Sequence, residues 1–166
     1  MSLEPLFVDV GTTLENTGGF LQYVLVFVFA AIPLLEILVV IPVGIGLGLD
    51  PVATGALAFA GNVASVYVLI YFHRRISNWR RDRRSADETD SSNRFERARG
   101  LWERYGLPGI AIGGPILTGV HIAALVALLA GSSERTVAGW MTVGIGLWTA
   151  LLVVGSVFGV SLLGVA

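Results

Sequence analysis

Four polar side chains stand in otherwise apolar sequence, and their types could carry chemistry. They are Glu36, Asn62, Thr118 and His121. A carboxyl group and an imidazole can each take up and release a proton. An amide and a hydroxyl offer neutral hydrogen-bond donors and acceptors. Because an ionisable group in apolar surroundings is costly, it is a functional candidate by default. These four residues are therefore candidates for proton coupling and for lining a transport site.

Each of these side chains also has a structural interpretation. Glu36 could lie near a membrane interface, or it could cap a helix that restarts after Pro33. His121 could make one hydrogen bond to a backbone carbonyl. Asn62 could bond a neighbouring helix, a contact of about 0.6 kcal/mol, or satisfy backbone groups freed by a helix break at Pro42.

The distribution of charge decides the class of protein. The chain has 166 residues, of which 54% are hydrophobic and 14% are charged. Sixteen of the 23 charged residues lie within residues 73–104, so the other 134 residues carry seven. A water-soluble protein needs charges over its whole surface. The sequence therefore predicts an integral membrane protein and excludes a soluble enzyme, a nucleic-acid binder and a disulfide scaffold.

Searches for catalytic motifs support a protein that is not an enzyme. The chain has no Cys and no Lys, and hence no phosphate-binding loop ending in Gly-Lys-Ser/Thr. It also lacks His-Glu-x-x-His and Gly-x-Ser-x-Gly. We expect no metal and no cofactor, and any export would have to use an ion gradient.

Four apolar stretches, 20–49, 51–72, 107–131 and 136–165, are each long enough for a membrane helix. The first and third contain residues that break helices. We expect a helix from residue 20 to about 30, and a broken or re-entrant hairpin over residues 32–49. Gly109-x3-Gly113 and Gly155-x3-Gly159 permit close approach between helices. The breaking residues are Pro33, Pro42, Gly44 and Gly46 in the first stretch, and Pro115 and Gly119 in the third.

The layout repeats, with residues 33–36 aligning with 115–118 at a spacing of 82. Interrupted apolar segments at matching positions in two halves indicate a transport site. We predict an all-α polytopic membrane protein with two pseudo-repeats, each a Pro/Gly-broken segment plus a transmembrane helix. Residues 1–166 then form a single membrane domain, with halves at 20–72 and 105–166 and a basic loop at 73–104.

Arginine sets the predicted orientation. Ten of the eleven Arg residues lie in the loop 73–104, which should therefore be cytoplasmic and contact anionic headgroups. We expect helical ends at 73–84 and 94–104. The chain uses Arg and no Lys, and it has an acidic run at 85–92. Both features are typical of archaeal, halophilic proteins. The loop arginines are Arg74, Arg75, Arg80, Arg81, Arg83, Arg84, Arg94, Arg97, Arg99 and Arg104.

The predicted location is the plasma membrane, which the chain would cross several times. If two crossings precede the loop, the N-terminus is cytoplasmic. The C-terminus is outside if the third stretch is re-entrant and inside if that stretch crosses fully.

Three segments resemble the small multidrug export protein family and, more distantly, the DedA/VTT-like membrane proteins with two re-entrant helices. They are residues 33–46, with Glu36 six residues before Pro42; Gly61-Asn62; and residues 103–125, including Pro115-Ile116-Leu117-Thr118-Gly119. The family often has Arg where this chain has Leu38, so Glu36 lacks an obvious counter-ion, which favours a protonatable carboxyl.

The first resemblance implies proton-coupled efflux of small compounds, and the second implies movement of lipids or lipid carriers between leaflets. A structural membrane subunit is the third alternative. The expected partners are membrane lipids, a small-molecule substrate of unknown identity and a second copy in a homodimer, but no nucleic acid.

Overall fold

The computed structural model describes residues 4–33, 35–83, 106, 108–109, 111–113 and 119–163. Within those ranges the regular structure is helical and contains no strand, which confirms the all-α prediction. The helices of ten or more residues are α1 (Glu4–Glu15), α2 (Phe20–Ala31), α3 (Glu36–Gly46), α4 (Pro51–Arg83), α5 (Val120–Leu129) and α6 (Glu134–Leu163).

Two of these helices are long and apolar enough to cross a membrane, over Pro51–Arg75 in α4 and Glu134–Leu162 in α6. The apolar helices α2, α3 and α5 have only 12, 11 and 10 residues. At 1.5 Å per residue they are about 15–18 Å long, roughly half of a ~30 Å hydrocarbon core. The first apolar stretch is thus divided into two half-length helices.

Pro33 lies where the first stretch is interrupted, as predicted. Ile32 ends α2 with ψ 124, an extended conformation, because the ring of a following proline disfavours the helical one. Pro42 behaves differently, since α3 continues through it to Gly46. The expectation of a break at Pro42 is wrong. The lost backbone hydrogen bond is tolerated in a well-packed helix whose residues Val39 to Ile41 are buried.

The described residues fall into two compact units, one within Met1–Ser65 and Gly144–Ala166 and the other within Val66–Val143. In the first unit, small residues of α4 allow close packing. A Cβ on Gly61 would lie 2.2 Å from the carbonyl oxygen of Phe27 in α2. A Cβ on Gly55 would lie 2.7 Å from Val153 in α6. The first half of α4 therefore packs against both α2 and α6, as small residues permit in membrane proteins.

Helices α2 and α3 of the first unit form a hairpin. They pack against each other, and the backbone N–H of Asp50, just before α4, donates to the Tyr23 hydroxyl near the start of α2 at 3.1 Å. The start of α2 thus lies beside the start of α4. The chain runs away from this end along α2 and returns along α3. Helix α1 also packs on α2 and α3, burying Val10 and Leu14.

In the second unit, the later part of α4 runs antiparallel to the start of α6. The hydroxyls of Tyr67 and Thr142 lie 3.5 Å apart. Further along, Arg74 Nε lies 4.0 Å from Glu134 Oε2. The start of α6 therefore lies beside the basic part of α4. Helix α4 continues to Arg83, which confirms that residues 73–83 of the predicted loop are helical. The predicted helix over 94–104 lies outside the described residues.

Both short helices lead into a long one through the same turn. Gly48 and Gly131, at φ 86 and 92, follow α3 and α5. Leu49 N–H donates to Gly44 O at 3.1 Å, and Ser132 N–H donates to Ala127 O at 3.1 Å. This is the Schellman arrangement, which satisfies carbonyls at the end of a helix.

The following residue caps the long helix in each case. Asp50 Oδ1 accepts from Ala53 N–H at 2.7 Å, and Ser133 Oγ accepts from Thr136 N–H at 3.2 Å. The matching residues are 83 apart, one more than the sequence alignment gave. Equivalent positions in the two segments are therefore identified by the turn residues and not by Pro33 and Pro115.

Candidate functional site

Glu36 lies at the point where the α2–α3 hairpin reverses. It is the first residue of α3, is 4% exposed and has φ 38. No other non-glycine residue has a positive φ within the described part of the chain. For a residue with a side chain this conformation costs about 1–2 kcal/mol. Strain of this kind concentrates at functional sites, so the conformation singles out Glu36 independently of its charge.

The depth of Glu36 follows from helix geometry. It lies ten residues before Gly46, at the opposite end of α3 from the turn, a rise of about 15 Å. Asn62 lies eleven residues after Pro51, a rise of about 16 Å from the same turn. Both residues belong to the first unit and are buried. If the turn lies at the membrane surface, both are near the midplane of a ~30 Å core.

Three buried side chains of the first unit have polar atoms that lack a hydrogen-bond partner among the described residues. They are Nδ2 and Oδ1 of Asn62, Oγ1 of Thr54 and Oγ1 of Thr149. Other helical hydroxyls bond their own backbone: Ser65 donates to Asn62 O and Thr142 to Ala138 O, each at 2.8 Å. An unsatisfied buried polar group costs about 1–3 kcal/mol. The three groups can therefore accept a water molecule or a polar ligand at a gain in stability.

Thr54 and Thr149 were not singled out by the sequence. Spacing could have identified Thr54, because Thr54, Ala58 and Asn62 follow each other at intervals of four and are all 0% exposed. The i, i+4 pattern of small and polar residues on one face marks the packed side of α4. Thr149 sits among the apolar residues of α6 with no comparable signal.

The predicted residues of the second half are only partly described. His121 is the second residue of α5, is 5% exposed and belongs to the second unit. Gly119 precedes α5 with φ 82 and ψ 150, so it marks the start of a helix as predicted. Thr118 and Pro115 lie outside the described residues. The structure brings Glu36 and Asn62 into one unit and places His121 in the other.

The remaining predicted positions are structural. Pro33 is exposed in the turn between α2 and α3. A Cβ on Gly44 would lie 3.0 Å from Thr54 Cγ2, so this glycine allows α3 to pack against α4, and Gly46 ends α3. In the described ranges, no group of three His, Asp or Glu is arranged to hold a metal ion.

The predicted headgroup contacts begin in the last turns of α4. Arg74 and Arg75 are exposed, and Arg74 is paired with Glu134 at a distance that is worth little in water. Arg80, Arg81 and Arg83 also belong to α4. The predicted positions Arg84, Arg94, Arg97, Arg99 and Arg104 lie outside the described residues.

Comparison with protein families finds a match over most of the chain. Residues 36–151 match the family model described as "Putative small multi-drug export protein", a segment that begins at Glu36 and ends within α6. No curated protein and no solved structure matches the chain. The match and the two long apolar helices suggest a membrane protein with a role in export. Because the match covers more than half of the chain, the protein belongs to the small multi-drug export protein family.

Proposed function

We propose that this protein exports small molecules across the plasma membrane and couples export to an ion gradient through Glu36. One observation carries the proposal: a buried carboxyl occupies a strained backbone position where two half-length helices meet. Discontinuous helices of this kind form substrate and coupling-ion sites near the midplane of secondary transporters. Protonation would allow Glu36 to change charge without leaving its site.

Asn62 and the hydroxyls of Thr54 and Thr149 supply the neutral part of the proposed site. They offer hydrogen-bond donors and acceptors that no described side chain uses. We assign them to hydration or substrate contact along α4. His121 and Thr118 are the candidates that the second half would contribute, as part of the same coupling chemistry.

The proposed topology follows from the helix ends. With the Arg-rich end of α4 in the cytoplasm, Asp50 lies at the outer surface and the α2–α3 hairpin enters from outside. Only α4 then crosses before the loop, so the residue preceding α2 is outside. This replaces the cytoplasmic N-terminus that two crossings would give.

The second half has the same form in this proposal. Helix α5 is about 15 Å long, and the chain after it starts α6 beside Arg74. The third apolar stretch is therefore re-entrant, α6 crosses once, and the C-terminus is outside. The common turn geometry at Gly48 and Gly131 supports two pseudo-repeats. Cysteine-accessibility mapping tests this directly, because the chain has no native Cys.

Flux measurements in proteoliposomes test the coupling. We expect efflux of a transported compound to depend on an imposed pH gradient and to lose that dependence in Glu36→Gln, which cannot change charge. Glu134→Gln is the matched control, since Glu134 is also in the first turn of a helix but is partly exposed. Unchanged gradient-dependent flux in Glu36→Gln would rule out the proposed site.

Lipid translocation is the alternative that the half-length hairpin favours, because a hairpin of that depth leaves a groove open to one leaflet. A dithionite-quenching assay with labelled lipid separates it from export. Rapid lipid flip without gradient dependence or solute flux would favour the lipid function.

Absence of both fluxes, with stoichiometric co-purification of a partner, would favour a structural subunit. Cross-linking in the membrane tests the expected homodimer.

A further inference from the structure

The α2–α3 hairpin and α4 contact each other at two levels of the first unit. Near the turn that joins α3 to α4, a Cβ on Gly44 would lie 3.0 Å from Thr54 Cγ2. Further along α4, a Cβ on Gly61 would lie 2.2 Å from the carbonyl oxygen of Phe27 in α2. Asn62 follows Gly61 and is 0% exposed. The Asn62 side chain is therefore enclosed where α4 lies against the hairpin.

The register of α3 and α4 places Asn62 level with Glu36. The two helices run in opposite directions, because a tight turn joins them. Glu36 lies eight residues before Gly44, and Asn62 lies eight residues after Thr54. At 1.5 Å per residue, both are about 12 Å from the contact between Gly44 and Thr54.

Pro42 frees a backbone carbonyl near this level. In a regular helix the carbonyl oxygen of Leu38 accepts from the N–H of residue 42, but proline has no N–H and its ring pushes that carbonyl aside. Leu38 lies six residues before Gly44, a rise of about 9 Å. The freed carbonyl is thus within about 3 Å, measured along the helix axis, of the level of Glu36 and Asn62.

The Asn62 amide supplies a donor and an acceptor at the same level. Neither Nδ2 nor Oδ1 has a hydrogen-bond partner among the described residues, so Asn62 does not bond the Leu38 carbonyl directly. A buried water molecule needs two to four polar partners, and water can both donate and accept. The two amide atoms and the freed carbonyl meet this requirement, and a water molecule there removes the cost of leaving them unpaired.

We propose that the Asn62 amide and the Leu38 carbonyl bind a buried water molecule that exchanges protons with Glu36. A proton that arrives from the solvent converts this water into hydronium, which passes the proton to the Glu36 carboxylate. The products are a carboxylic acid and neutral water, and the reverse order releases the proton. Asn62 is a positioning residue in this step, because it holds the water and does not itself take up the proton. The exchange step rests on the function proposed above, whereas binding of the water does not.

Infrared spectroscopy of the full chain in lipid bilayers tests the proposal. At a pH that protonates Glu36, its carboxylic acid band is the one that Glu36→Gln lacks, and replacing H2O by D2O shifts this band. We expect Asn62→Leu to slow the shift about tenfold, because two lost hydrogen bonds lower the occupancy of the water by about that factor. Asn16→Leu is the matched control: Asn16 is an exposed residue of the same unit, and the rate should not change.

Pro42→Ala tests the site independently of Asn62. Alanine supplies an N–H that can bond the Leu38 carbonyl, so the water loses one partner and the shift should slow about threefold to tenfold. This variant restores a helical hydrogen bond, so it keeps the test decisive if Asn62→Leu does not fold. An unchanged rate in either folded variant would overturn the proposal. A rate that falls when sodium replaces choline in the buffer would also overturn it, because a metal cation would then occupy the site.

The two proposals can fail separately. Gradient-dependent flux that survives Glu36→Gln, together with slowed exchange in Asn62→Leu, would remove the coupling role and keep the water site. Flux that requires Glu36, together with unchanged exchange in Asn62→Leu, would remove the water site and keep the coupling role. Absence of a Glu36 carboxylic acid band at every pH at which the protein is folded would remove both.

Discussion

The segment from α3 into α4 and the segment from α5 into α6 have similar backbone geometry but differ in their buried side chains. Both begin at a residue with positive φ, end in the same glycine turn and lead into a capped long helix. Equivalent positions of the two segments are 83 residues apart. At three of them the first segment has a polar residue and the second does not. These pairs are Glu36 and Gly119, Thr54 and Val137, and Asn62 and Ile145.

The difference between Glu36 and Gly119 is the most informative. A glycine adopts positive φ without a side-chain penalty, and the second segment has one. The first segment has a glutamate there, which adds both strain and the cost of burying a carboxyl. The backbone alone therefore does not require Glu36. A glutamate at this position is what the coupling role proposed for its side chain would require.

The largest expected effect concerns the packing of the first segment. Gly61→Ala places a Cβ 2.2 Å from the Phe27 carbonyl oxygen, so α2 must move away from α4. We expect a loss of about 3 kcal/mol in the free energy of unfolding, near the upper end for overpacking. Unfolding by SDS titration in mixed micelles, followed by circular dichroism, measures it.

Gly139→Ala in α6 is the control for this prediction. A Cβ there meets nothing within 4 Å, so we expect a gain of about 0.5–1 kcal/mol from helix propensity. Equal stability of Gly61→Ala and the natural sequence would show that α2 does not approach α4 this closely.

The second prediction compares two substitutions of Glu36. Alanine normally stabilises a helix relative to glycine, but at φ 38 the order should reverse. We expect Glu36→Ala to be less stable than Glu36→Gly by about 1 kcal/mol. Gly119→Ala should destabilise by about 1–3 kcal/mol, because φ 82 and ψ 150 lie in a region that is nearly restricted to glycine. The same SDS titration measures these variants, and an alanine variant at least as stable as Glu36→Gly would remove the argument from strain.

The third prediction tests whether the two turns are equivalent. Gly48→Ala and Gly131→Ala should each cost about 1 kcal/mol, because a Cβ is disfavoured at positive φ. Neither substitution meets a steric obstacle within 4 Å, so the conformational cost alone should appear. Thermal unfolding of the two variants in detergent should give matching shifts. Clearly unequal shifts would argue against a common turn.

The smallest effect concerns hydroxyls of α6. Thr149→Val removes an unpartnered buried hydroxyl and should leave stability unchanged or raise it by up to about 1 kcal/mol, because the cost of burying that group disappears. Thr142→Val removes a hydroxyl bonded to Ala138 O and should cost about 1 kcal/mol. A larger loss for Thr149→Val under the same SDS titration would mean that its hydroxyl already has a partner, such as a bound water molecule.

Local features of the sequence predicted several boundaries correctly. Pro33 ends α2 because the conformation of the preceding residue is restricted, and Gly119 marks the start of α5. Helix α1 was not anticipated, because its polar residues hide the buried positions Val10 and Leu14. The Gly-x3-Gly pairs predicted only that close helix packing is possible. Gly155 and Gly159 meet nothing within 4 Å, whereas Gly61 makes the close approach.

The sequence by itself predicted the membrane class, the helical fold and Glu36 as a candidate site residue, because apolar length and the cost of charge act along the chain. It also determined family membership, through residues 36–151. Tertiary structure decided that α3 continues through Pro42 and that Thr54 and Thr149 are buried without partners among the described residues. These features depend on which helices pack together, and residues far apart in the chain supply those contacts.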